Sequence, residues 1–239
     1  TYADATKPLI LETSMGTVGV IACAETQYGM ADSNRGGISP LESSRIFSQI
    51  SSMSGRVDLI VLSVDGGAEM SPWPSPVRRN QLRGFVDAGA DIVWGHHSHV
   101  PQGWESYNDG LIFYGLGNYL VNPEDWESTP NALWSLVVNV DNSGDTLDWD
   151  VSTSEVEGSG QSLHTRLGSY ADLRERSEYI DVINRPLQDD DLLDGLWQDF
   201  SVRSYEKYYR LWLGLARHDN RKFSRLRGIA REVKRSVSD

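Results

Sequence analysis

VDLIVLSVDGG, residues 57–67, reads as a strand with an abrupt end. Residues 57–64 are almost continuously apolar, as in a strand buried on both faces of a mainly parallel sheet; a half-exposed strand would alternate. Asp65-Gly66-Gly67 closes the run with a carboxylate and two turn residues. DIVWGHHSH, residues 91–99, repeats the pattern: a second short buried strand at 91–94 delivers the chain into Gly95-His96-His97-Ser98-His99. In open α/β sheets, ligands collect outside the carboxyl ends of the strands. Asp65 and the histidines lie just past such ends, so the two stretches predict an α/β fold in which both face one crevice.

Working outward, residues 8–13 and 17–24 are β-rich runs joined by Ser14-Met15-Gly16, and 26–39 is a polar loop. Pro40 with Leu41, Ile46, Phe47 and Ile50 predicts a helix carrying proline in its first turn. Pro72, Pro74 and Pro76 stiffen a loop before a helix that runs to about Ala88, with Gly89 as its C-terminal cap. Hairpins are expected from 102–107 with 111–114 about Asn108-Asp109-Gly110, and from 132–140 with 146–151 about residues 141–145. Gly158-Ser159-Gly160 is linker-like, and the rest reads mostly helical, with Leu193, Leu196, Trp197 and Phe200 at helical spacing. The chain therefore divides at 1–157 and 158–239, the second part ending in a strongly basic stretch.

A length of 239 residues with 39% hydrophobic content and eight tryptophans is enough to build a sizeable core. No apolar run approaches the roughly 20 residues of a membrane span, and no signal peptide opens the chain. Thr1 stands where a methionine would, which leaves room for an upstream segment with targeting information. The net charge of −12 argues against nucleic acid as a partner. Cys23 is the single cysteine, which excludes an internal disulfide and any multi-cysteine metal site. Its apolar neighbours predict a buried thiol.

His96, His97 and His99 are three of the five histidines. Neutral imidazole is the commonest transition-metal ligand, and a His-x-His pair leaving a strand can aim two nitrogens at one point. The plain alternative is a polar loop rich in histidine.

Taken in order, LIVLSVDGGAEM, the proline loop, DAGADIVWGHHSHVPQGWE and LIFYGLGNYLV resemble the bacterial capsule-synthesis CapA family, also called the poly-γ-glutamate synthesis family, a branch of the calcineurin-like metallophosphatase superfamily. The resemblance runs through Asp65 to Glu69, Gly89 to His99, Gln102, and Ile112 to Asn118; residues 7–22 match the strand pair that opens the family's second half. It implies a phosphoesterase-like layered α/β sandwich with a mainly helical C-terminal segment. One or two divalent ions (Mn, Fe or Zn) would sit at the strand ends, with His97 and His99 matching the Gly-His-x-His ligands. His96 would orient a neighbour. Adjacent metals need several N/O ligands from different strand ends, generate hydroxide and neutralise a phosphoryl oxygen. Two departures stand out. Asp65 occupies the place of a family histidine, and residues 1–54 contain nothing like the family's first half, which supplies further ligands. Either a second polypeptide or a missing N-terminal half completes the fold, with an open sheet edge or exposed apolar face expected where it packs, or the chain is a reduced, inactive form of it.

Around this core, Asp65, His97 and His99 are the candidate metal ligands, and Glu69 and Asn118 are the candidate catalytic residues. Glu69 is able to accept a proton and Asn118 to hydrogen-bond the site; their plain alternatives are a solvated carboxylate and a turn cap. Arg78, Arg79 and Gln102 are candidate substrate-binding residues, the arginines through paired N–H donors. A solvated helix start is the commoner fate of such arginines. His164 and His218 are read as surface residues. At 222–237 a basic helix with Leu226, Ile229, Val233 and Val237 on one stripe could lie on an anionic membrane or dock on the domain. The function expected is a metal-dependent hydrolase acting on an anionic surface polymer or its precursor in capsule or poly-γ-glutamate biosynthesis, at the cell envelope. Its rival is a non-catalytic binding subunit of a polymer synthesis or export complex.

Overall fold

The structure, a computed structural model, describes residues 1–14, 16–25, 29–142 and 147–216. The basic helix expected at 222–237 and His218 lie outside the described residues. The chain forms two compact units, residues 1–194 and 195–239.

In the first unit, a short helix α1 (Tyr2–Ala5) precedes β1 (Leu9–Thr13) and β2 (Gly16–Ala24). There follow α2 (Ser43–Met53), β3 (Leu59–Asp65), α3 (Pro76–Asp87), β4 (Ile92–His96), β5 (Trp104–Tyr107) and β6 (Gly110–Phe113). These strands make one sheet in the order β1-β2-β3-β4-β6-β5. Its centre, β2 to β3 to β4 to β6, is parallel, and antiparallel β1 and β5 form the edges. After α4 (Pro123–Trp126), strands β7 (Trp134–Asp141), β8 (Asp148–Glu157) and β9 (His164–Leu167) build a second, antiparallel sheet.

The unbroken apolar run at 57–64 explains the layering. In β3, Ile60, Leu62 and Val64 pack with Ile46 and Ile50 of α2 and Leu82 and Phe85 of α3. Leu59 and Val61 point the other way, into a cluster that includes Val138, Val140, Trp149 and Val151 of the second sheet. A strand apolar on both faces is thus one sandwiched between helices and a second sheet. The layers run helices, six-stranded sheet, three-stranded sheet. At the end of α3, Gly89 takes φ +108, and the N–H groups of Gly89 and Ala90 bond back to Val86 and Phe85, the expected cap.

Pro40 is a correction. Helix α2 begins at Ser43, and Pro40 lies beside the end of β2, in a bridge with Ala24. Ala24 donates to Ser39 O, and Leu41 donates to Ala24 O. The residue between those two partners needs no N–H, so the pairing tolerates proline. β4 runs two residues past the expected 91–94, to His96, and β8 continues to Glu157. Beyond β9 come α5 (Tyr170–Glu175), α6 (Ser177–Asn184) and α7 (Asp190–Ala216), which carries the chain from the first unit into the second. In the second unit Trp197 and Phe200 stack 5.6 Å apart, at the helical spacing expected of them.

β1 is an edge whose five residues are all exposed, with Leu9 at 54%, Ile10 at 50% and Leu11 at 41%. At the opposite edge, Trp104 N–H of β5 donates to Asn184 Oδ1 of α6 (2.9 Å). Among the described residues, no helix is long and apolar enough to cross a membrane.

Candidate functional site

Parallel pairing aligns the carboxyl ends of three strands: Ala24 of β2 faces Asp65 of β3, and Asp65 faces His96 of β4. The loops leaving β3 and β4 are tied together by Met70 N–H donating to Ser98 O (2.8 Å). Glycine at 95 is a packing requirement, since a Cβ there would lie 2.1 Å from the Tyr114 carbonyl oxygen. The backbone of both loops is strained: His97 has φ 80° and His99 φ 60° after β4, and Met70 has φ 58° after β3. Non-glycine residues in the left-handed region cost free energy and gather at functional sites.

The histidines have different surroundings. His96 Nε2 lies 3.1 Å from Ser63 Oγ, and burial pushes its pKa below the ordinary imidazole value, with Asp65 pulling the other way. His97 stands between two carboxylates, its Nδ1 3.4 Å from Asp65 Oδ1 and its Nε2 3.6 Å from Glu69 Oε1. The histidine is largely buried (18% side-chain exposure), whereas Asp65 and Glu69 are 52% and 58% exposed. His99 Nδ1 lies 2.9 Å from Asn118 Oδ1, and its ring sits 4.5 Å from that of Trp126 on α4 and 6.1 Å from that of His97. The structure therefore brings Asp65, Glu69, His97, His99 and Asn118 together.

The other candidates lie inside the wall. Gln102 is buried, and its amide N–H donates to Ser71 O (2.9 Å). Arg78 and Arg79 are not the solvated helix start expected of them: they are 8% and 4% exposed. Arg78 pairs with Glu25 and donates to Gln81 Oε1 (2.8 Å); Glu25 also accepts from Gly67 N–H (3.2 Å), so the pair braces the turn after Asp65. Arg79 pairs with Asp190 at the start of α7. Burying a guanidinium without such a partner would be costly, and the partners explain the burial. His164, at the surface, lies 3.6 Å from Glu157.

Sequence reasoning missed Ser63, Trp126 and Glu25. The first had a signal, a lone hydroxyl in the apolar run LIVLSVD. Trp126 and Glu25 had none, because their contacts are made only by the fold.

A divalent ion takes the donor types gathered here. Asp65 Oδ1 and His97 Nδ1, 3.4 Å apart, match one edge of a tetrahedron, about 3.3–3.4 Å for ligands at about 2.0–2.1 Å. Glu69 approaches the other nitrogen of the same ring, so the two carboxylates do not share a point with His97. Among the described residues no three His, Cys, Asp or Glu side chains are grouped so as to hold one ion. The donor set suits a metal chemically, but the site is not closed.

A parallel α/β sheet with histidines and carboxylates at its carboxyl edge defines a strand-end site of the kind that binds ligands in layered α/β proteins. Residues 1–123 match the sequence model of the family described as bacterial capsule synthesis protein PGA_cap, and the chain belongs to that family. It is 41% identical over 78 residues to the capsule biosynthesis protein CapA of Bacillus anthracis, covering 33% of this chain and 19% of that protein. With the PGA biosynthesis protein CapA of Bacillus subtilis (strain 168) it shares 35% identity over 102 residues, covering 43% of this chain and 27% of that protein. The chain thus spans about a fifth to a quarter of the curated relatives it matches. A phosphatase from Mycoplasma pneumoniae aligns over 72% of this chain and 62% of its own at 10% identity, with a TM-score of 0.34.

Proposed function

We propose that this chain carries the histidine-bearing half of a metal-dependent, phosphoesterase-type hydrolase site used in capsule or poly-γ-glutamate biosynthesis at the cell envelope. The observation that supports it most is His97, held in a left-handed backbone at a parallel strand end between Asp65 and Glu69. Asp65, His97 and His99 are the proposed ligands of a divalent ion. Such an ion supplies Lewis-acid polarisation and a lowered pKa for bound water. Glu69, exposed at the rim, is suited to take up a proton, and Asn118 holds His99. Because the donors among the described residues meet only in pairs, the remaining ligands come from a further polypeptide segment or a companion chain. The substrate would be an anionic surface polymer or its precursor. With Arg78 and Arg79 paired internally, attraction for that anion falls to the metal.

The incomplete donor set also favours a second reading, a non-catalytic subunit that binds polymer within a synthesis or export complex. Calorimetric titration with manganese and zinc tests the first. Parent protein and a His164→Ala/His218→Ala control should take up metal equally, and His97→Ala/His99→Ala should not. Only where metal had been bound should the double variant also lose thermal stability, since binding to the native state stabilises it by mass action. Equal uptake by parent and His97/His99 variant would return the cluster to a polar loop. Metal uptake without hydrolysis of a model phosphoester, in a preparation carrying the additional segment, would favour the binding subunit.

A further inference from the structure

We infer that Asn118 is a positioning residue that locks His99 into a single tautomer, with the proton on Nδ1 and the lone pair on Nε2. The assignment needs only hydrogen-bond polarity. The Asn118 side chain is 8% exposed and makes two bonds, Nδ2 donating to the Ala132 carbonyl oxygen (3.0 Å) and Oδ1 facing His99 Nδ1 (2.9 Å). A carbonyl oxygen only accepts, so the amide end beside Ala132 must be the NH2 group. The opposite end is then an oxygen, which also only accepts, so His99 Nδ1 must carry a hydrogen. A neutral imidazole has one N–H, which leaves Nε2 bare. Turning the amide over would set two oxygens face to face at Ala132 and lose that bond in a buried setting, where an unmade hydrogen bond is most costly.

Two further contacts restrain the ring. Trp126 packs against it at 4.5 Å with the planes tilted by 40°. The backbone at His99 is fixed at φ 60°, and Ser98 anchors the preceding turn by donating to Val100 O (2.7 Å). Neither neighbouring histidine is constrained in this way. His96 meets the hydroxyl of Ser63, which both donates and accepts, and both nitrogens of His97 face carboxylates. Of the three, His99 alone has its tautomer dictated by an acceptor that is itself held in place. Its consequence for the site rests on the metal reading above: an imidazole whose second nitrogen donates to a fixed acceptor is an oriented and more basic ligand. The lock itself does not depend on that reading.

The test uses the full chain labelled with 15N-histidine, above the imidazole titration range, where long-range 1H–15N spectra distinguish protonated from bare ring nitrogens. His99 is assigned by the signals lost in His99→Gln. The parent should show His99 with a protonated Nδ1 and a bare Nε2. Asn118→Leu should abolish that pattern. A parent His99 protonated on Nε2, or an Asn118→Leu spectrum unchanged at His99, overturns the proposal; the parent measurement stands even if a variant folds poorly. In parallel, manganese and zinc titrations should show about 10–100-fold weaker binding for Asn118→Leu. If the tautomer pattern holds but the parent binds no metal, the metal reading fails and the lock stands. If metal binds and the pattern is absent, the lock is wrong and the metal reading survives.

Discussion

At the scale of single residues, polarity and burial separate groups that look alike in the sequence. His96, His97 and His99 are near neighbours, yet one faces a hydroxyl, one two carboxylates and one a fixed amide oxygen. Cys23 shows the opposite outcome, a reactive side chain made inert. It is 6% exposed, and burial raises its pKa to about 11. The thiolate is the reacting species, so its fraction near pH 8 should be roughly 100-fold below that of an ordinary cysteine, and access is blocked as well. Labelling with a chromogenic disulfide at pH 8 should therefore be at least about 100-fold slower in the native protein than in guanidinium. Comparable rates in the two states would contradict the buried thiol. Burial could be read from the apolar run around Cys23. The burial of Arg78 and Arg79 could not, because their ion-pair partners Glu25 and Asp190 lie 53 and 111 positions away.

At the scale of elements, the site depends on β4 approaching its neighbour closely. Gly95 is the residue that permits this, and the atoms in the way of a side chain, Tyr114 O at 2.1 Å and Tyr114 C at 2.8 Å, are backbone. Backbone in a packed sheet cannot yield as a flexible side chain does. Gly95→Ala should cost about 1–3 kcal/mol or more, as overpacking does, and should displace the turn that carries His97 and His99. Urea denaturation would show this as a lower midpoint with the slope preserved. An unchanged midpoint would mean that the glycine serves no packing purpose. The strands at 59–65 and 92–96 could be read in advance because a strand buried on both faces leaves an unbroken apolar run. The bridge at Pro40 could not, since a proline near a helix start satisfies local preference equally well.

At the scale of the whole molecule, one edge of the large sheet is exposed and apolar. β1 exposes Leu9, Ile10 and Leu11 along an edge that pairs with no further strand among the described residues. Apolar edge strands promote association, and an edge lysine opposes it. Ile10→Lys should reduce concentration-dependent self-association in sedimentation velocity while shifting stability by no more than about 0.5 kcal/mol, as for other exposed sites. Association that persists unchanged would exclude this edge as its source.

Two runs of sequence were enough to determine that the chain is α/β, that its central strands are buried on both faces, and that Asp65 and the histidines sit at strand ends. Those features follow from local hydrophobic pattern and from where it stops. Only the tertiary structure decided which donors meet. That Glu69 reaches the far nitrogen of His97, that Asn118 turns its oxygen to His99 because Ala132 holds its nitrogen, and that the arginines brace the wall are all contacts between distant segments. Hydrogen-bond polarity and ion pairing act over a few ångströms in space, and no pattern along the chain encodes that proximity before the layers are packed.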